Sequence, residues 1–184
     1  MKLIIIILFS SMLFSSDKYK EPSYVLLEKE KNIEIREYGS YVVARTSHSV
    51  NDVEENNMFR TLASYIFGGN AKDESIPMTA PVTTYQNNAD YHMLFYMLDA
   101  KSIEDMPESN GQNIVFETFT LGKCAVVSFS WFTTDSRIDY YTKLLNNYLD
   151  ENDIKANSSF MVNRYDPPWR LPFFRRNEIL VKIN

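Results

Sequence analysis

Two short stretches near the start of the chain have the patterns of strands. Residues 33–38 alternate isoleucine with charged side chains, and residues 41–46 are β-branched and aromatic. An alternation of apolar and polar positions is typical of a half-buried strand. Gly39–Ser40 between the two stretches is a turn signal. The pattern therefore predicts a hairpin of two strands.

The next segment has the spacing of a helix. The helix is predicted to end at Gly68–Gly69, because glycine readily adopts the left-handed conformation that closes a helix. Its apolar residues lie on or near one stripe: Val53, Phe59, Ala63 and Ile66. Its polar residues fall on another stripe: Asn57, Arg60 and Ser64. We expect the first stripe to pack against a sheet and the second to face away from it.

Two further strands are predicted at residues 77–84 and 91–98. The first contains Pro77 and Pro81, which lack amide donors, so an edge or a bulge is expected there. The same order of elements then repeats. Strands at 114–119 and 124–131 are expected to form a second hairpin across Leu121–Gly122, followed by a helix from Thr134–Asp135 and strands at 160–165 and 177–183. Two ββαββ-like repeats predict an α+β fold, a curved sheet or distorted barrel of eight mostly antiparallel strands with two helices and a pseudo-twofold relation between the halves.

The first residues of the chain have the composition of an export signal. Lys2 precedes an apolar run from Leu3 to Phe14 that is broken only by serines, and Ser15 and Ser16 come before the charged Asp17. About a dozen apolar residues are too few to span a bilayer comfortably. We expect residues 1–16 to be a signal peptide and residues 17–184 a single exported domain, periplasmic or secreted, without a membrane span. A buried helix or an uncleaved anchor is the alternative.

Composition limits the partners of the chain. The net charge is −5, which argues against broad binding to a phosphate backbone, so no nucleic-acid partner is expected. Apolar residues make up 45% of the chain and aromatic residues 14%, enough rings to fill a core and to line a groove. The single cysteine, Cys124, lies in an apolar strand and is expected to be a small core residue.

The sequence contains no recognisable catalytic or metal motif. No serine lies in a Gly-x-Ser-x-Gly turn, and no glycine-rich phosphate loop is present. The two histidines, His48 and His92, are far apart and without a metal-binding motif, so surface or strand packing is the better interpretation of each. We therefore predict a monomeric binding protein with no catalytic residues and no metal site.

The segment at residues 165–178 stands out for its combination of rings and positive charge. Three prolines stiffen it around Trp169, Phe173 and Phe174, and it also contains three arginines: Arg170, Arg175 and Arg176. Rings can cover the face of a flat apolar ligand while a guanidinium binds its carboxylates. The alternative is a loop that folds over the barrel end, with its rings in the core and its arginines paired to acids.

Several separate motifs resemble the SOUL haem-binding protein family. They are Ile33–Glu34–Ile35–Arg36–Glu37–Tyr38–Gly39, Gly68–Gly69–Asn70, Pro77–Met78–Thr79–Ala80–Pro81–Val82, Tyr165–Asp166–Pro167–Pro168 and Arg175–Arg176–Asn177–Glu178. The resemblance runs from about Tyr24 to the C-terminus. It implies a distorted β-barrel with two helices that binds haem and other tetrapyrroles without a reaction of its own.

The resemblance also implies where the ligand lies. Family members hold the porphyrin in a shallow groove beside the first helix, and by position that groove would be lined here by Asn57, Arg60, Ser64 and Arg170, with Trp169 next to it. Some members have a histidine, proposed as an iron ligand, where Glu37 stands here. Haem is therefore expected as a weakly bound ligand without a strong axial bond, and His48 and His92 are only fallback ligands.

Two other functions stay open at this point. The doubled architecture also resembles the small-molecule sensor domains of the GyrI-like group, which favours a general binding domain for apolar or amphipathic small molecules. An enzyme with an unrecognised site is the third hypothesis. Titration with a porphyrin separates tetrapyrrole binding from general ligand binding, and turnover that is lost on mutating a pocket residue would indicate an enzyme.

Overall fold

The computed structural model describes residues 19–184, and the predicted signal peptide lies outside the described residues. This part of the chain forms two helices, α1 at Glu55–Ile66 and α2 at Asp135–Glu151. It forms nine strands: β1 Tyr24–Glu30, β2 Ile33–Tyr38, β3 Ser40–Ser49, β4 Val82–Asn87, β5 Asp90–Tyr96, β6 Val115–Thr120, β7 Lys123–Phe129, β8 Met161–Arg164 and β9 Asn177–Lys182. No helix within residues 19–184 has the length and apolar character needed to cross a bilayer.

All nine strands described belong to one curled antiparallel sheet, in the order β1-β2-β7-β9-β8-β4-β5-β3-β6. Apart from β1, the order is symmetric about the centre of the sheet. Read from the two edges inward, β2 corresponds to β6, β7 to β3, β9 to β5 and β8 to β4, so exchanging the halves gives the same order. The α+β fold, its two helices and the pseudo-twofold order are thus confirmed. Strand β1 is a ninth strand that the sequence did not predict.

The two predicted hairpins are wrong, although their strands exist. Strand β2 pairs with β7 rather than with β3, and β6 pairs with β3 rather than with β7. Only Gly39 separates β2 from β3, which is shorter than the two-residue loop of a tight hairpin. The second connection turns at Gly122, whose φ of +63° glycine tolerates well. The first predicted strand of each half, β2 or β6, therefore pairs with a strand of the other half.

The predicted edge position of the proline-containing strand is also wrong. Strand β4 begins only at Val82 and lies at the centre of the sheet, between β5 and β8. Pro77 and Pro81 precede it, and the Ala80–Pro81 peptide bond is cis. Because both prolines lie outside the ladder, their missing amide donors cost the sheet no hydrogen bond.

Three apolar clusters form the core. Both helices pack on the same face of the sheet, α1 over β3 and β5 and α2 over β7 and β9. The third cluster lies on the opposite, inner face. On α1 the buried stripe is Met58, Leu62, Ala63, Tyr65 and Ile66, whereas Phe59, predicted to face the core, is 40% exposed. On α2 the predicted apolar side is confirmed, with Leu145 and Leu149 buried and Ile138, Tyr141 and Tyr148 packed beside them.

Candidate functional site

A buried carboxylate occupies the inner face of the sheet where β9 begins. Arg36 donates two hydrogen bonds to Glu178, at 3.1 and 3.0 Å, and the hydroxyl of Tyr165 donates a third at 2.6 Å. Burial, together with the charge of Glu178, raises the pKa of Tyr165 well above its usual range. The phenol therefore stays protonated and acts as a donor. These three residues, the buried cluster, join β2, β9 and the end of β8.

A cavity of about 520 Å³ lies beside this cluster, and Tyr165 belongs to both. The Arg176 guanidinium lies 3.6 Å from the centre of the Tyr165 ring and is paired with Glu21. The cavity is lined by the first described residues and by the loop between β8 and β9: Tyr19, Glu21, Ala80, Tyr165, Asp166, Pro167, Trp169, Arg170, Phe174 and Arg176. It combines aromatic ring faces with two guanidinium groups.

The loop between β8 and β9 is held by bonds from its own arginines. Arg170 forms an ion pair with Asp166 at 3.1 Å and donates from Nε to the Phe174 carbonyl at 3.0 Å. Arg175 donates from Nε to the Arg170 carbonyl at 2.9 Å. The rings of this loop are exposed, Trp169 to 79%, so the alternative in which they fill the core is wrong. The second part of that alternative, arginines paired to acids, is correct for Arg170 and Arg176.

The structure divides the five predicted ligand-binding residues into two groups. Trp169 and Arg170 line the cavity together. Asn57, Arg60 and Ser64 lie exposed along α1, and none of them is part of the cavity lining. Asn57 hydrogen-bonds to the Glu54 carboxylate. The role of these three α1 residues as ligand contacts stays a prediction.

One family motif closes the end of α1 and is not part of the cavity lining. A Cβ added to Gly69 would lie 2.6 Å from the Ser64 carbonyl oxygen and 2.8 Å from its hydroxyl oxygen, so glycine is required there. Asn70 is buried, and its amide donates to the carbonyl oxygens of Tyr65 and Glu74 at 3.0 and 2.7 Å. The Gly68–Gly69–Asn70 motif is therefore explained by local structure.

Three other motifs meet in the buried cluster, because Arg36, Tyr165 and Glu178 each belong to a different quoted motif and Glu178 bonds to both of the others. The sequence analysis did not assign Glu178 or Arg36 to a site. The alternation of β2 places Arg36 on the polar side of a strand, but no pattern links it to Glu178, 142 positions away. Only the pairing of β2 and β9 with β7 brings the two together.

The possible iron ligands and the thiol lie elsewhere. His92 is buried, with Nδ1 2.7 Å from the Ser47 hydroxyl, and burial followed by the charge of Arg45 lowers its pKa. Cys124 is fully buried, which raises its pKa to about 12 and confirms it as a core residue. Neither histidine lines the cavity. Within residues 19–184, no three His, Cys, Asp or Glu side chains are grouped to hold a metal ion.

The curled sheet and its two helices define a small α+β protein with a cavity at one end of the sheet. Residues 19–182 match the family described as SOUL heme-binding protein. The chain belongs to this family, and the family assignment made from the motifs is confirmed. No curated protein matches the chain.

Solved structures of similar fold share little sequence with this chain. The C-terminal domain of EcmrR matches with a TM-score of 0.64 and 15% identity, covering 83% of this chain and 96% of that one. A hydrolase from Listeria innocua matches with a TM-score of 0.59 and 6% identity, covering 85% and 94%. An uncharacterized conserved protein from Listeria innocua has a TM-score of 0.59 and 9% identity, covering 84% and 93%. Identities this low show the fold alone.

Proposed function

We propose that this chain is an exported binding protein that holds haem or another tetrapyrrole without catalysing a reaction of its own. The single observation that carries the proposal is family membership over residues 19–182. The cavity supports it, because its volume of about 520 Å³ lies in the range of small-molecule sites. Trp169 and Arg170, chosen from the sequence, lie in that cavity.

The cavity lining fits the chemistry of a porphyrin edge. Tyr165, Trp169 and Phe174 offer ring faces to an apolar macrocycle, and Arg170 and Arg176 offer guanidinium groups to its propionates. A hydrogen bond to a charged group contributes about 1.5–3 kcal/mol. Both arginines already have carboxylate partners, so a propionate would share them with Asp166 and Glu21. The gain for each arginine therefore falls at the low end of that range.

The same lining does not fit a strong axial bond to iron. The described residues that line the cavity include no histidine, cysteine or methionine. The Tyr165 phenol donates to Glu178 and stays protonated, so it offers no phenolate. Glu37, where some relatives have a histidine, is exposed on β2. Bound haem would be held by ring contacts and arginines.

Absorbance titration of the protein with haemin tests the site. Arg170→Ala should weaken binding about tenfold, which corresponds to about 1.4 kcal/mol. Arg60→Ala is the matched control, since Arg60 is also an exposed arginine but lies on α1 outside the cavity lining. A loss confined to Arg170→Ala supports the cavity, whereas a loss confined to Arg60→Ala favours the groove beside α1.

Two further results would contradict the proposal. His48→Ala and His92→Ala should leave the Soret band nearly unchanged, because neither histidine lines the cavity. A Soret band that collapses in either variant would place the iron elsewhere. Failure of the unmutated protein to bind any porphyrin would favour a general small-molecule binding domain.

Export is the second part of the proposal. The apolar run that follows Lys2 and the small residues Ser15 and Ser16 support cleavage between Ser15 and Lys18. N-terminal sequencing of protein recovered outside the cytoplasm should give a first residue in this interval. Met1 retained on cytoplasmic protein would contradict export.

A further inference from the structure

Six large apolar side chains are exposed together at one end of the molecule. They come from the loop after β7 and from the loop between β8 and β9, and their exposed fractions run from 49% to 79%. We call them the aromatic patch: Trp131, Phe132, Trp169, Leu171, Phe173 and Phe174. Clusters of exposed apolar side chains of this kind mark interaction surfaces.

The two loops of the aromatic patch are fastened to one another. The Trp131 amide donates to the Pro172 carbonyl at 2.9 Å, and the Asn177 side chain donates to the Trp131 carbonyl at 2.9 Å. Trp131 has a φ of +78°, a conformation rare for a bulky residue. The bonds between the loops hold this backbone in place, so the rings are presented outward on an organised surface.

The charge of the loop that contributes most of the aromatic patch differs in sign from that of the whole chain. Residues 165–176 contain three arginines and one aspartate, whereas the chain has a net charge of −5. Arg170 and Arg176 are paired with Asp166 and Glu21, so Arg175 supplies the positive charge next to the rings. The Arg175 guanidinium lies 4.8 Å from the centre of the Phe132 ring and donates to the carbonyl oxygens of Arg170 and Pro168. Exposed tryptophan and phenylalanine beside arginine suit the interface of a membrane, where rings enter the headgroup layer and arginine meets phosphates.

The N-terminal apolar run is attached to the same end. Tyr19, the first described residue, lines the cavity together with Trp169 and Phe174. Phe14, the last residue of the apolar run, lies five positions earlier, and five residues reach at most about 18 Å. A bilayer that takes up the apolar run during export is therefore within reach of the aromatic patch.

We propose that the aromatic patch docks on the surface of a phospholipid bilayer that contains anionic lipids. The rings enter the headgroup layer, and Arg175, which lies over the Phe132 ring and outside the cavity lining, faces the lipid phosphates. Anionic lipids strengthen the attraction of a basic side chain that lies near the membrane surface. This docking does not depend on tetrapyrrole binding.

Tryptophan fluorescence tests the docking directly, because the chain has two tryptophans and both belong to the patch. The full chain is titrated with vesicles of phosphatidylcholine and phosphatidylglycerol whose acyl chains carry bromine. We expect a blue shift and quenching of the emission, with weaker quenching when phosphatidylglycerol is left out. The apolar run contains no tryptophan, so its own insertion does not imitate this signal.

A double variant and a matched control distinguish docking through the aromatic patch from contact through other parts of the surface. Phe132→Ala with Phe173→Ala keeps both tryptophans and changes no residue of the cavity lining. The lipid concentration for half-maximal quenching should rise about tenfold. Phe67→Ala is the matched control, because Phe67 is 67% exposed but lies at the end of α1. It should leave the quenching unchanged.

Three outcomes would overturn the proposal. Flotation of the full chain with vesicles but without quenching would show that the apolar run alone binds. A concentration-dependent blue shift without vesicles would show that a second copy covers the patch. Equal quenching in the double variant and in Phe67→Ala would show that the patch makes no specific contact. Haemin affinity should be unchanged in the double variant, so this test and that of the tetrapyrrole site can fail independently.

Discussion

Two arginine–glutamate pairs on the inner face of the sheet have the same chemistry and different surroundings. Arg36 and Glu178 are bonded through both terminal guanidinium nitrogens, and their side chains are 5% and 2% exposed. Arg45 and Glu117 are bonded at 2.8 Å, with side chains 19% and 34% exposed. Water can therefore replace the partner of a lost charge in the second pair but not in the first.

The difference shows that burial, rather than the ion pair itself, sets how strongly the fold depends on a pair. Removing one partner of a buried pair leaves a charge that neither water nor protein compensates, which costs about 3–5 kcal/mol. Exposed pairs typically contribute about 0.2–1 kcal/mol. Glu178 also accepts hydrogen bonds from Tyr165 and Ser128, so its loss affects three elements at once.

Glu178→Gln should give the largest effect. The substitution keeps the shape of the side chain but removes the charge opposite Arg36, and Glu34, 2.7 Å from Arg36, compensates only in part. The free energy of unfolding should fall by about 3 kcal/mol. Urea unfolding followed by circular dichroism measures it, and a loss below about 1 kcal/mol would show that the burial argument fails here.

Tyr165→Phe should have the next largest effect. It removes the hydroxyl that donates to Glu178 at 2.6 Å and leaves a buried carboxylate with one donor fewer. The expected loss is about 1–3 kcal/mol in the same urea experiment. Tyr140→Phe is the control, because Tyr140 is 61% exposed on α2, and it should change stability by less than about 0.5 kcal/mol.

Glu117→Gln should cost at most about 1 kcal/mol, since water reaches both partners of the second pair. Comparison of this loss with that of Glu178→Gln tests the effect of burial, because both substitutions remove the same charge from an arginine partner. Equal losses in the two variants would refute the distinction between the pairs.

The stability of the protein should also depend slightly on pH through His92, which lies next to Arg45 of the second pair. Burial, with the nearby charge of Arg45, lowers the pKa of His92 below its ordinary value of 6.5. The unfolded chain therefore binds a proton at a pH where the folded protein does not, and stability falls as pH drops below 6.5. Urea unfolding between pH 7.5 and about 5 should show this decline, and His92→Gln should flatten it. An identical decline in the variant would assign it to other groups.

The order of elements could be predicted from the sequence, whereas the pairing of strands could not. Periodicity identifies a strand or a helix from neighbouring residues, but the partners β2 and β7 lie far apart in the chain. Strand β1 was missed because all 7 of its residues are exposed, so it has no apolar–polar alternation. Met58 and Phe59 are adjacent and both apolar, and the sequence did not distinguish which of them faces the core.

The candidate site was predictable only where its signal is local. Trp169 and Arg170 were found because rings, prolines and arginines crowd one short segment, and both line the cavity. The contribution of Tyr19 depends on the pairing of the N-terminal segment with the residues before β4, since Lys20 bridges to Thr79 and its carbonyl accepts from the Ala80 amide. No pattern within residues 19–23 indicates that pairing.

The exchange of first strands has a consequence for how the chain folds. Glu34 on β2 pairs with Val126 on β7, so β2 acquires this neighbour only after synthesis has passed most of the chain. Contacts of such large sequence separation slow folding, because a long loop must close before they form. The first half, released alone, would have β2 exposed along one edge and β3 without β6. A protease cut between Tyr96 and Val115 would accordingly leave two fragments that hold one another, each completing the sheet of the other.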